Sequence, residues 1–93
     1  MSPNNKKKLN LIRLKLDNKL LSLIKYRTGL VKEVLKLKEF KKDIVDQKRI
    51  NFILNKIKIK SKKLKIDPKI TNRIWKNMIW SYIDFERRNF KKK

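Results

Sequence analysis

The sequence predicts an all-α chain of three helices, long, short and medium, and three observations carry that prediction. Apolar residues recur at steps of three and four over long stretches. Aspartates, one of them followed by proline, punctuate those stretches where helices begin. The one segment that alternates like a strand, Lys58 to Lys65, has no second strand to pair with and reads as a fraying helix end and a turn.

The first helix is expected from about Lys6 to Phe40, a stretch without proline whose one glycine is Gly29. Leu9, Ile12, Leu16, Leu20, Leu23, Leu30, Val34 and Leu37 form its stripe, with lysine and asparagine on the far side. At 1.5 Å per residue such a helix reaches roughly 50 Å. That is too long for a compact monomer of this size, so a second copy of the chain is the simplest partner. After the connection Lys41-Lys42-Asp43, a shorter helix is expected from Asp43 or Asp46 to Lys62, built on Ile50, Ile53, Leu54 and Ile57. Either aspartate can cap it, because a carboxylate there meets unpaired N–H groups. Asp67-Pro68 is an N-cap followed by proline at the first helical position. The third helix follows to about Phe90, with Ile70, Ile74, Met78, Tyr82 and Phe85 as its stripe and Trp75, Ile79 and Ile83 widening it.

The 93 residues hold one small domain, with basic tips at 1–8 and 91–93 expected to be disordered. Cysteine and histidine are both absent, which removes disulfides, thiolate catalysis and the commonest general base and metal ligand. No apolar run approaches the roughly 20 residues of a membrane span, and Met1 to Lys8 has no apolar signal core. A cytoplasmic protein without a membrane partner is the expectation. The balance of 29 Lys+Arg against 8 Asp+Glu gives +21, which suits a polyanion partner. The plainer reading is compositional: lysine, isoleucine and asparagine abound while alanine is absent, as an AT-rich genome imposes.

Where particular charges fall says more than their sum. On the first helix, Leu16, Leu20 and Leu23 lead to Arg27, and Leu30 and Val34 lead to Lys38, all on one face. Trp75, Ile79 and Tyr82 lead to Glu86 in the third helix, and Arg49 lies one turn before Ile53 beside Asp46. Taken singly, each of these could snorkel at a core edge or sit in a buried ion pair. Together, inward groups with surplus positive charge imply a small anion between helices. The chain offers no nucleophile–base pair, metal set or phosphate loop. Confinement and electrostatics remain, and a pericyclic rearrangement of a charged substrate requires nothing else.

The run from Leu16 to Arg27 resembles the all-α chorismate mutase pattern hydrophobic-Asp-x-x-Leu-Leu-x-Leu-Leu-x-x-Arg, continuing in register through Val31, Val34 and Lys38. Asp46-Gln47-Lys48-Arg49 is similar to that family's Asp-x-x-Arg entry to its second helix, and Asp67-Pro68 to its turn into the last. Ile74 to Glu86 resembles its C-terminal signature. The resemblance implies an intertwined homodimer with two active sites, a dicarboxylate substrate (chorismate) and no cofactor or metal. By position it implies that Arg27 holds one carboxylate bidentately. Lys38 would bind the other carboxylate and the ether oxygen. Asp46 and Arg49 would line the ring side, and Glu86 would stand where the family hydrogen-bonds the same ether oxygen.

Three positions depart from the pattern. The arginine normally supplied by the partner subunit is Asn10 here, with Arg13 one turn along as a substitute. The glutamate that normally follows Arg49 is Ile50, and the small hydroxyl residue one turn before the ether-binding position is Tyr82. An aliphatic residue after the arginine and a Tyr-Ile before the last acid also occur in the related isochorismate-pyruvate lyases, so elimination of pyruvate from isochorismate, giving salicylate, is the alternative; an acid at position 86 favours the mutase. A basic helical nucleic-acid-binding protein is the alternative of another class. It accounts for the net charge but not for inward Arg27, Lys38 and Glu86, since phosphate binders keep their cations exposed.

Overall fold

The computed structural model describes residues 1–91; Lys92 and Lys93, and with them most of the expected C-terminal tip, lie outside the described residues. Three α-helices and one 3₁₀ turn make up the chain, and no strand occurs among the described residues. They are α1 (Pro3–Leu37), the 3₁₀ turn (Lys41–Ile44), α2 (Gln47–Lys63) and α3 (Pro68–Asn89).

α1 begins earlier than the lysine-rich start suggested, so residues 3–8 are helical rather than a disordered tip. The reason lies in Ser2-Pro3. Proline at the first helical position loses no hydrogen bond, and the Ser2 hydroxyl accepts from the Asn5 N–H at 3.2 Å. The helix ends at Leu37 instead of Phe40. Asp43 competes for the segment: its carboxylate accepts from the Phe40 N–H at 3.3 Å, holding Phe40 extended and closing the 3₁₀ turn.

Asp46 and Asp67 cap α2 and α3 as their positions suggested. Asp46 Oδ1 accepts from the Arg49 N–H at 3.1 Å, and Asp67 Oδ1 from the Lys69 N–H at 2.9 Å. α2 ends in a Schellman motif, with the Ile66 N–H donating to the Ser61 carbonyl and the Lys65 N–H to the Lys62 carbonyl. Lys65 therefore takes φ 58°, where a Cβ is strained. Lys65→Gly should raise stability by about 1 kcal/mol, read as a higher denaturant midpoint at an unchanged slope.

The chain divides into two compact units, Met1–Val31 and Lys32–Lys93. The first is the N-terminal part of α1. Leu11, Ile12, Leu14, Leu16, Leu20, Leu21, Leu23 and Ile24 are all exposed on it. The second unit holds the hydrophobic core: Leu35, Ile44, Ile50, Ile79 and Ile83, flanked by Val45, Ile53, Leu54, Trp75 and Phe90. There α2 packs on α3, and the 3₁₀ turn packs on α3 as well. A polar pin joins the end of α2 to the start of α3, where buried Ser61 shares a 2.6 Å hydrogen bond with Thr71.

The face α3 turns to the core is Trp75, Ile79, Ile83 and Glu86; of the stripe led by Ile70 and Ile74, those two stay exposed while Met78, Tyr82 and Phe85 are half-buried. Both rows are apolar and adjacent on the helix. The row that meets Ile50 and Ile44 is the one buried.

Candidate active site

Lys38 stands immediately after the last residue of α1, where a cation meets the negative end of the helix dipole. Glu86 lies near the end of α3, on the row that Ile79 and Ile83 carry into the core, and only 6% of it is exposed. Lys38 Nζ donates to Glu86 Oε1 at 2.9 Å, with side-chain exposures of 22% and 8%. The other ion pairs among the described residues, Lys36–Glu33 and Arg88–Asp84, span one helical turn each and lie open to solvent.

A shielded pair in an apolar core holds the fold only weakly, because desolvation offsets most of the Coulomb gain. Its chemical capacity is larger. The Lys38 ammonium carries three donors, and Glu86 Oε1 uses one. Two remain for an anion or an ether oxygen, in surroundings where a charge interaction is stronger than in water.

The expected site residues fall into groups. Lys38 and Glu86 are brought into direct contact. Tyr82, one turn before Glu86, is half-buried. Asp46 and Arg49 are exposed at the start of α2, joined through the cap in which the Arg49 main chain donates to Asp46. Ile50 is 6% exposed and belongs to the core with Ile79 and Ile83. One step of 100° around α2 separates it from Arg49 and turns it inward.

In the first unit, Asn10 and Arg13 are exposed, whereas Arg27 is half-buried with its Nε shielded from solvent. Among the described residues no group of three or more carboxylates could hold a metal ion. The sequence reading had inward charges at positions 38 and 86 but did not show that they meet directly. Forty-eight residues separate them, and no local spacing rule reaches that far.

No curated protein and no solved structure matches the chain. The family model for chorismate mutase type II matches residues 14–87. That span takes in Arg27, Lys38, Asp46, Arg49, Tyr82 and Glu86 and leaves out Asn10 and Arg13. Continuous over about four-fifths of the sequence and containing the Lys38–Glu86 pair, the match shows that the chain belongs to the chorismate mutase type II family, whose activity is that of an isomerase.

Proposed function

We propose that this chain rearranges chorismate to prephenate, on the route to phenylalanine and tyrosine, as a cytoplasmic homodimer. The observation that carries the reading is the Lys38–Glu86 pair, a cation with spare donors fixed in an apolar core. The rearrangement breaks one carbon–oxygen ether bond and forms one carbon–carbon bond within a single molecule. Negative charge grows on the ether oxygen as the bond stretches. Lys38 donates to that oxygen and to a carboxylate, Arg27 grips a carboxylate through its fork, and Glu86 fixes the Lys38 ammonium. Asp46, Arg49 and Tyr82 define the ring side, and Arg13 serves in place of the arginine missing at Asn10. Purified protein given chorismate and isochorismate separately tests the reading. Prephenate from chorismate supports it, whereas salicylate and pyruvate from isochorismate assign the lyase reaction instead.

Glu86 offers a sharper measurement. An ether oxygen only accepts hydrogen bonds, so a carboxylate cannot serve it as a donor. A glutamine keeps an oxygen for Lys38 and adds an N–H₂ for the ether oxygen. Glu86→Gln should therefore keep kcat within about tenfold of the parent, while Glu86→Ala should lose about a hundredfold, the effect of one mispositioned donor. Unchanged turnover in both variants would remove Glu86 from the site.

The exposed apolar residues of α1 support the homodimer. A surface carrying Leu11, Ile12, Leu16, Leu20 and Leu23 is far more apolar than a monomer of this size retains. Sedimentation at micromolar concentration should give twice the 11.4 kDa chain mass, with thermal stability rising with protein concentration. A folded species at the chain mass would remove the dimer.

A further inference from the structure

We infer that the outward face of α2 docks on an anionic phospholipid bilayer. At 100° per residue, Ile59 and Lys63 lie within roughly 20° of Phe52, Lys48 and Lys56 within roughly 40°, and Lys60 and Lys62 roughly 80° to either side. The core-facing side of the same helix carries Ile50, Ile57 and Ser61, so this stripe has no place in the packing against α3. Even so, its centre is apolar: Phe52 is 62% and Ile59 47% exposed. Seven residues set these two about 10 Å apart along one line. Lys48, Lys56, Lys60, Lys62 and Lys63 are all exposed around them, and α2 contains no acidic residue. Lys56 Nζ lies 5.9 Å from the Phe52 ring centroid, so a cation borders the apolar centre directly.

The pairing of chemistries selects the partner. A phosphate backbone takes the lysines but leaves Ile59 in water, and an apolar protein groove takes Phe52 and Ile59 but strands the lysines. A bilayer surface takes both. The ring and the branched side chain enter below the headgroups, while the lysine stems lie along them and return their ammonium groups to the phosphates. The negative surface potential of anionic lipid adds attraction for each lysine. No helix among the described residues is long and apolar enough to cross a membrane, so the contact is with the surface. Neither apolar residue nor any of the five lysines belongs to the proposed substrate site, so docking and turnover are separable.

Co-sedimentation of the full chain tests this, with vesicles of phosphatidylcholine alone or with about 30 mol % phosphatidylserine. The expected result is binding to the serine lipid mixture and not to phosphatidylcholine. The double variant Phe52→Ser/Ile59→Ser should weaken binding at least about tenfold. Lys56→Glu/Lys63→Glu should do the same, and both should leave sedimentation, circular dichroism and turnover unchanged. The serine pair should also leave affinity for a short single-stranded RNA unchanged.

Several results overturn the proposal. They are unchanged vesicle binding by the serine pair, which leaves charge as the whole cause, and an equal loss of RNA binding, which makes the face a nucleic-acid surface. A change of oligomeric state in the serine pair makes the face a contact between copies. Absence of vesicle binding by the parent chain overturns it outright.

Discussion

Lys38→Ala should lose turnover by at least about a hundredfold and lower stability by about 3 kcal/mol, the second effect arising from Glu86 rather than from Lys38. Removal of the ammonium leaves a carboxylate 8% exposed without the partner now 2.9 Å away. A buried charge stranded in this way typically costs 3–5 kcal/mol, and the lower end applies because the lysine side is 22% open and admits water. The loss of turnover has a separate cause, the donor on the ether oxygen. The double variant Lys38→Ala/Glu86→Leu divides the two, since an apolar side chain suits that part of the core. Stability should return to within about 1 kcal/mol of the parent, while turnover stays lost. Denaturant unfolding and kinetics on these three proteins and on Glu86→Leu complete the cycle. Full turnover in Lys38→Ala would reduce the pair to a structural contact.

The sequence showed the helix starts better than the packing, for a physical reason. A cap is a local event: Asp46 and Asp67 reach N–H groups two or three residues along, and such spacing is visible in a string of letters. Ser2-Pro3 carries the same kind of signal, but the lysine run behind it reads as repulsion and points to a later start for α1. α1 also ends earlier than its apolar pattern suggests, because Asp43 reaches back to the Phe40 N–H from within the following turn.

Burial is not local. α3 offers two neighbouring apolar rows, and only the approach of α2 decides that Ile79 and Ile83 go inside while Ile70 and Ile74 stay out. Ile50 shows the same limit from the other side. Its place in the apolar set of α2 marks it as inward, but only the approach of α3 makes it meet Ile79 and Ile83. The Lys38–Glu86 pair was half legible: charges on apolar faces mark positions that face inward, but their mutual contact depends on how α3 packs.

Arg27→Ala should lower kcat/KM by about a hundredfold or more, and Arg27→Lys should recover little of it. A guanidinium presents parallel N–H groups that match the two oxygens of a carboxylate, whereas an ammonium offers a single charged point. If Arg27 holds a carboxylate through that fork, the lysine variant keeps the charge and loses the orientation, so most of the defect persists. Because Arg27 is half-buried with its Nε shielded from solvent, neither change should alter non-specific nucleic-acid binding, which depends on exposed cations. Substituting exposed Lys6, Lys7 and Lys8 with glutamine should do the reverse, weakening that binding and flattening its salt dependence while turnover holds. Titration of single-stranded DNA at several salt concentrations, run beside chorismate consumption on the same variants, separates the two surfaces. Loss of turnover in the lysine-to-glutamine variant with full turnover in Arg27→Ala would show that substrate is held by the basic start of α1 and not by Arg27.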